Sequence, residues 1–209
     1  VGILKHAEKY CKKLRSSDRG DKDPKTGKPK RRKATYAEEI DYITKSVERN
    51  RFIMRFTAQL QGNTILMINQ IEHGELLYKV MKEALPDRKI YLYTGATGVT
   101  ERETIRQLME LQDGAIIIGS LGVLSTGISI KRLHNLVFGH PSKSRVKVLQ
   151  TVGRLLRKSK FGNNVTMFDL VDSLAIGSYE NYTLEHGRIR TRFYNDQLFE
   201  YDMVNINLF

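Results

Sequence analysis

The chain has 209 residues, a length that suits one α/β domain, with or without appendages, and allows a full hydrophobic core. Its single cysteine, Cys11, excludes an intrachain disulfide, and the sequence has neither an apolar run of membrane-spanning length nor a Cys/His cluster with zinc spacing. The net charge is +12, which favours an anionic partner. These properties are typical of a cytoplasmic or nucleoid-associated protein.

Most of the excess charge lies near the beginning of the chain. Residues 5–33 contain thirteen Lys and Arg against four Asp and Glu, so this stretch carries +9. Residues 15–33 have no apolar side chain and cannot bury enough surface to fold, whereas residues 3–14 are predicted to form a short helix. We therefore assign residues 1–35 to a basic, partly flexible arm or linker. It suits a phosphate backbone, although a solvated charged loop would have the same composition.

The main series of predicted helices and strands begins at residue 36. Apolar residues recur at helical steps over 36–60, and short apolar strands then alternate with helices. This alternation predicts a parallel sheet covered on both faces, an α/β domain that extends over residues 36–172. Residues 173–209, rich in Tyr and Arg, are predicted to form a helical and then extended extension of that domain. The predicted strands are 64–68, 89–93, 115–118, 135–139 and 165–171, and the predicted helices lie near 74–85, 100–111 and 143–158.

Three loops rich in Gly and in hydroxyl or amide side chains follow predicted strands, at residues 69–74, 94–98 and 119–129. Ligands of parallel α/β sheets bind at the carboxyl ends of the strands. Backbone N–H groups and short polar side chains are suitable contacts for phosphate oxygens. Turn chemistry alone also selects these residue types, but three such loops at one edge of a sheet indicate a phosphate-binding surface.

The predicted helix 143–158 contains a Q-x-x-G-R-x-x-R string. Steps of four and three residues place Gln150, Arg154 and Arg157 on one helical face, and apolar residues fall on the opposite face. Gly153 costs about 1 kcal/mol of helix stability relative to Ala but lets a ligand or another backbone approach closely. A solvated basic face is the alternative interpretation of these arginines.

The order of these elements resembles the second RecA-like domain of superfamily 2 helicases. The likeness consists of a Thr-Gly loop, a helix with Glu101 and Arg102, a Ser-Thr-Gly-Ile-Ser loop and the Gln150–Arg157 string, all separated by strands. Within this superfamily, Ser120–Ser129 and Leu149–Lys158 are similar to the corresponding loop and helix of the phage UvsW-type recombination helicases. The resemblance extends from about residue 36 to residue 209 and is weakest in the basic arm. It implies a parallel-sheet RecA-like fold of the P-loop NTPase type.

The resemblance also implies a role for each matched position. Arg154 and Arg157 correspond to the arginines that contact the ATP phosphates across an interdomain cleft, one of them as the arginine finger, and they are the predicted catalytic residues. Gln150, Gly153 and Ser129 complete the predicted nucleotide-binding set with them. The positions that correspond to contacts with the nucleic-acid backbone are Asn69, Thr94, Gly95, Ser120 and Thr126.

Two motifs of a complete ATP site are absent from the sequence. It contains no G-x-x-x-x-G-K-[ST] loop and no D-E-x-[DH] box, so this chain alone should be inactive. The resemblance implies that a first RecA-like domain of the same full-length protein holds ATP with Mg²⁺. It further implies single-stranded and branched DNA as partners, with RNA left open, no membrane, and a duty in recombination and repair, in the host cytoplasm if the protein is phage-encoded.

Two other kinds of protein share features with this sequence. A non-catalytic nucleic-acid-binding module with a RecA-like fold would share every positive feature of the sequence. A dinucleotide-binding enzyme that uses the glycines of residues 95–98 is disfavoured, because that loop follows the second strand and lacks the G-x-G-x-x-G register. Asp169 and Asp172, at the end of the last predicted strand, are interpreted as capping or interdomain residues rather than catalytic ones.

Overall fold

The computed structural model describes residues 1–15, 24–25, 27, 33–120, 130–142, 144 and 165–209. Seven strands in this part of the chain form one sheet, and every pair of neighbouring strands is parallel. The strands are β1 (Gly2–Lys5), β2 (Thr64–Ile68), β3 (Ile90–Tyr93), β4 (Ile116–Ser120), β5 (Asn135–Phe138), β6 (Thr166–Ser173) and β7 (Val204–Asn207). Their order across the sheet is β3-β4-β2-β5-β6-β1-β7.

The described helices cover both faces of the sheet. They are α1 (Glu8–Arg15), α2 (Tyr36–Lys45), α3 (Val47–Gln59), α4 (Ile71–Ala84), α5 (Val99–Leu111) and α6 (Tyr182–Asp196). Because side chains alternate along a strand, Ile65 and Met67 of β2 pack on the α5 and α6 side, whereas Leu66 and Ile68 pack on the α3 and α4 side. The predicted α/β architecture with a parallel sheet is thus confirmed. No helix among the described residues is long and apolar enough to cross a membrane.

The first residues of the chain do not form the helix predicted for residues 3–14. Gly2–Lys5 is a strand that pairs with β6 on one side and with β7 on the other, and only Glu8–Arg15 is helical. Leu4 is fully buried in the core. Four residues are too few for a period to be recognised, and both pairing partners lie more than 160 residues away. The division at residue 35 remains a prediction, but residues 2–5 within that range belong to the central sheet.

Residues 36–60 show a continuous helical pattern of apolar residues, but in the structure they form two helices that meet at Ser46. The first helix starts at a capping box, in which Thr35 accepts a bond from the Glu38 amide and the Glu38 carboxylate accepts one from the Thr35 amide. Ser46 has an extended backbone, ends α2 and caps α3 by accepting a bond from the Arg49 amide at 3.3 Å. This change of direction at Ser46 precedes a buried arginine, Arg49, in the first turn of α3.

The C-terminal helix α6 packs very closely on β6. A β-carbon at Gly187 would collide with the side chain of Val171, so a residue without a side chain is required where the helix crosses the strand. One and two turns further along α6, Arg190 and Tyr194 are both buried against the same strand. The predicted helical and then extended tail therefore corresponds to α6 and the edge strand β7.

Candidate functional site

The carboxyl ends of β2, β3 and β4 meet at one edge of the sheet. Ile68 lies opposite Ser120, and Tyr93 lies opposite Gly119 in the parallel registers. The predicted nucleic-acid contacts within the described residues are therefore neighbours at this edge. Asn69 and Gly95 are exposed there, Ser120 is half-buried and Thr94 is buried.

The loop after β3 is a compact turn that uses its own threonines. The Thr94 hydroxyl accepts a bond from the Ala96 amide at 3.3 Å, and the Thr97 hydroxyl accepts one from the Thr94 amide at 3.0 Å. Arg102 donates to the Thr94 and Gly95 carbonyl oxygens at 3.1 Å each, which ties the turn to helix α5. The side chain of Thr94 is thus engaged inside the turn, whereas Gly95 presents exposed backbone with open space around its α-carbon.

Six of the predicted site residues lie outside the described residues, and their roles remain predictions. The structure describes the chain on both sides of them. Ser120 ends β4 before the first group, and Ile130, which is buried, follows it. Gly139–Ser142 lead from β5 towards the second group. The six residues are Thr126, Ser129, Gln150, Gly153, Arg154 and Arg157.

A buried ion pair that we did not predict joins α3 to the end of β6. Arg49 Nε donates to Asp172 Oδ1 at 2.7 Å, and both side chains are 0% exposed. His6 Nε2 donates to the same oxygen at 2.9 Å. Burial alone would raise the pKa of Asp172, but the charge of Arg49 and the bond from His6 outweigh it and lower the pKa to about 2. Asp172 is therefore ionised at neutral pH.

A second buried pair lies on the opposite face of the sheet. Arg190 donates from Nε and Nη2 to the two oxygens of Asp169 at 2.8 and 2.7 Å, and Tyr194 donates to Asp169 at 2.8 Å. Burial opposes the charge on Arg190, but Asp169 outweighs it, so the pKa of Arg190 is raised. The interpretation of Asp169 and Asp172 as capping or interdomain residues is wrong. Because Asp169 and Asp172 are three residues apart on a strand, their side chains point to opposite faces of β6, where each neutralises a buried arginine.

Two histidines stand beside these ion pairs. His73, in the first turn of α4, donates from Nε2 to Asn50 Oδ1 at 2.9 Å, and His140 follows β5. Burial lowers the pKa of His73 to about 3, and the charge of Arg49 adds to the effect. Burial also lowers the pKa of His140 to about 3, with further contributions from Arg190 and Arg49. Both imidazoles are neutral at physiological pH.

We expect these two histidines to make the protein less stable as the pH falls from 6.5 towards 3. The unfolded chain takes up their protons near pH 6.5, whereas the folded chain does so only near pH 3. Each histidine should therefore lower the free energy of unfolding by about 1.4 kcal/mol per pH unit within this window. Urea unfolding of the chain and of His73→Gln at pH 7, 6 and 5 measures the difference in slope. An imidazole signal of His73 that titrates near pH 6.5 in NMR spectra would contradict the expectation.

A groove among the described residues lies elsewhere in the domain. It measures about 980 Å³ and is lined by apolar residues near the amino ends of β1, β6 and β7, among them Phe52, Phe56 and Phe168. A smaller depression of about 340 Å³ surrounds Arg88, also at amino ends of strands. Neither borders the edge at which Asn69, Gly95 and Ser120 meet, whereas a small cleft lined by Asn69, Gln70, His73 and residues 139–141 lies beside Asn69.

The parallel sheet, its covered faces and its polar carboxyl edge define the class of protein. The C-terminal domain of the DEAD-box protein Dbp5 superposes with a TM-score of 0.58 at 13% identity, over 78% of this chain and 84% of that domain. A DEAD-box protein from Methanococcus jannaschii superposes with a TM-score of 0.55 at 12% identity, over 76% of this chain and 39% of that one. The fold is that of a RecA-like helicase C-terminal domain.

The particular helicase family follows from a more similar relative. The chain is 36% identical over 187 residues to the ATP-dependent DNA helicase UvsW of Enterobacteria phage T4. The matched region covers 83% of this chain and 37% of that helicase. The crystal structure of T4 UvsW superposes with a TM-score of 0.78 at 32% identity, over 100% of this chain and 41% of that one. No family model matches the chain. The chain is homologous to UvsW and belongs with the superfamily 2 helicases, and it spans about two fifths of that relative's length.

Proposed function

We propose that the chain is the second motor domain of an ATP-dependent superfamily 2 DNA helicase or translocase. The observation that carries this proposal is the meeting of Asn69, Gly95 and Ser120 at one edge of the sheet, in a chain homologous to a phage DNA helicase. The arginine-bearing helix predicted for residues 143–158 would follow the same edge, because Gly139–Ser142 leave the carboxyl end of β5. Nucleotide and nucleic-acid contacts would thus share one side of the domain.

In this proposal the ATP site is completed from two domains. The first motor domain would hold ATP with Mg²⁺, which would supply positive charge beside the phosphates. The described part of this chain has no group of three His, Cys, Asp or Glu that could hold a metal ion. Arg154 and Arg157 supply guanidinium groups to the transferring phosphoryl group from across the cleft, one of them as the arginine finger. Gln150, Gly153 and Ser129 line the nucleotide side of the cleft.

The nucleic-acid contacts are assigned to the carboxyl edge of the sheet. We propose that backbone and short polar groups of Asn69, Thr94, Gly95, Ser120 and Thr126 bind the phosphodiester chain of single-stranded or branched DNA, with RNA as an alternative. Because Thr94 is engaged within its turn, its contribution would come through the backbone of the Thr94–Gly95 turn. Closure of the two motor domains on ATP would then move these contacts along a strand. Such a motor fits unwinding, annealing or branch migration in recombination and repair, in the cytoplasm, which is that of the host if the protein is phage-encoded.

Steady-state phosphate release tests the proposed function. The isolated chain should not turn over ATP above about 0.1 per second, the lower edge of ordinary enzyme rates, with or without single-stranded DNA. A chimera in which this chain replaces the homologous segment of T4 UvsW should show turnover that single-stranded DNA stimulates. A chimera that folds and binds a fluorescent ATP analogue but shows no stimulated turnover would favour the other hypothesis, a non-catalytic nucleic-acid-binding module.

The basic arm should contribute affinity for nucleic acid without sequence preference. Replacing residues 16–32 by an uncharged Gly/Ser linker should flatten the plot of log affinity against log salt, by about 0.7 to 0.9 for each lost phosphate contact. Fluorescence anisotropy with two unrelated oligonucleotides at several salt concentrations measures the slope. Lys79→Gln with Lys82→Gln on helix α4 serves as the control for the loss of exposed lysines elsewhere in the chain. An unchanged slope would show that the arm is only a linker, and a sequence-selective loss would show that it contacts bases.

A further inference from the structure

Four residues, Gly139–Ser142, connect β5 to the part of the chain in which the arginine-bearing helix is predicted. Three of their four backbone carbonyl oxygens accept hydrogen bonds from distant side chains. Arg49 Nη2 donates to the Gly139 oxygen at 2.8 Å, and Arg190 Nη1 donates to the Ser142 oxygen at 2.9 Å. The Tyr36 hydroxyl donates to the Pro141 oxygen at 3.4 Å. The connection, hereafter the 139–142 segment, is therefore held from α2, α3 and α6 at once.

Each of the two arginines has one part of its guanidinium group bound to a buried carboxylate and another bound to the segment. Arg190 binds Asp169 through Nε and Nη2, which leaves Nη1 for Ser142. Arg49 binds Asp172 through Nε and the Gly139 carbonyl through Nη2. The guanidinium group is planar, so a carboxylate that fixes one edge also fixes the direction of the remaining N–H groups. The position of the carbonyl oxygens is thereby tied to β6, which carries both aspartates.

Stability alone is a poor explanation for two such pairs. Both arginines are 0% exposed, and an ion pair removed from water loses much of its attraction to the cost of desolvation. Apolar residues of similar volume would fill the same space at equal or lower cost. What apolar residues cannot provide is a hydrogen bond to a backbone carbonyl in a defined direction. The arrangement therefore points to a requirement for the geometry of the 139–142 segment.

We propose that Arg49 and Arg190 are positioning residues for the ATPase reaction. They hold the 139–142 segment, and because the chain continues from it to Arg154 and Arg157, a fixed segment restricts where these two predicted arginines can lie relative to ATP. This inference rests on the proposed function. Its physical basis is that a displacement of about 1 Å at a reacting group can reduce a rate by about a hundredfold.

Lysine substitutions separate positioning from charge. Arg49→Lys and Arg190→Lys keep a positive charge beside Asp172 and Asp169, but a single ammonium group cannot reproduce the fork that reaches both the carboxylate and the carbonyl. Arg88→Lys is the matched control. Arg88 binds the carbonyl oxygens of Ala58, Leu60 and Gly114 at 2.6 to 2.8 Å, at the amino ends of the strands and away from the 139–142 segment.

Two measurements are needed, one of which does not depend on ATP. In the chain itself, amide hydrogen exchange of peptides that cover residues 139–157 should become faster by about tenfold or more in Arg49→Lys and Arg190→Lys, and stay unchanged in Arg88→Lys. In the UvsW chimera, kcat for ATP should fall by about tenfold to a hundredfold in the first two variants, with KM within about twofold. Arg88→Lys should retain kcat.

The two proposals can fail separately. Unchanged exchange in residues 139–157, or faster exchange with an unchanged kcat, would overturn the positioning role while the proposed function stands. Failure of the proposed function would show instead in the Arg154 and Arg157 variants of the chimera, through turnover that does not depend on either arginine. A fall in kcat that Arg88→Lys reproduces would also overturn the inference, because a general loss of stability would then explain it.

Discussion

Replacing either Arg154 or Arg157 by alanine is expected to reduce nucleic-acid-stimulated ATP turnover by about a thousandfold or more in a protein that contains both motor domains. The expected loss is large because a guanidinium group at the transferring phosphoryl group stabilises charge that develops only in the transition state. Both arginines lie on the predicted helical face that also carries Gln150. Phosphate release from the UvsW chimera, with saturating single-stranded DNA, is the measurement.

The same variants should bind DNA with an affinity within a few-fold of the unmodified chimera, because the two arginines face the nucleotide cleft in this proposal. Arg188→Ala is the control, since Arg188 is an exposed arginine whose partner is Glu180 on the surface of the domain. It should leave turnover unchanged. Near-normal turnover combined with lost DNA binding in the Arg154 and Arg157 variants would identify this face as a nucleic-acid surface and contradict the assignment.

Replacing Arg49 by methionine is expected to lower the free energy of unfolding by about 3 to 5 kcal/mol, because it removes the arginine that neutralises the buried charge of Asp172 and leaves only the hydrogen bond from His6. The pKa of Asp172 should rise as a consequence, since burial opposes the charged form once the charge of Arg49 is removed. Urea unfolding of the chain at pH 7 measures the loss.

Two further variants test the cause of this destabilisation. Lys45→Met removes an ion pair with Asp41 in which the two side chains are 74% and 63% exposed. It should lower the free energy of unfolding by at most about 1 kcal/mol. Adding Asp172→Asn to Arg49→Met removes the unpaired charge but keeps a polar partner for His6, and should restore part of the lost stability. A double variant less stable than Arg49→Met would show that the buried charge is not the reason for the loss.

Much of the sheet could be predicted from short stretches of sequence. Strands β2 to β6 and helices α4 and α5 show their periodicity within a window of about fifteen residues, and alternation of apolar strands with helices permits few arrangements other than a parallel sheet. The common edge of Asn69, Gly95 and Ser120 then follows from geometry, because parallel strands end on the same side. Only the three-dimensional structure shows that Gly95 is exposed while the neighbouring Thr94 is engaged in its own turn.

Long-range pairing decided the rest. Strand β1 is formed because Leu4 completes the core between β6 and β7, and its registers join residues more than 160 positions apart. The partners Arg49 and Asp172 are separated by 123 residues. A buried charge is tolerated only where the folded chain brings an opposite charge beside it, and no local window contains that information. Local periodicity and turn chemistry therefore determined the sheet and its polar edge, whereas the ion pairs that hold the 139–142 segment were decided by the tertiary structure.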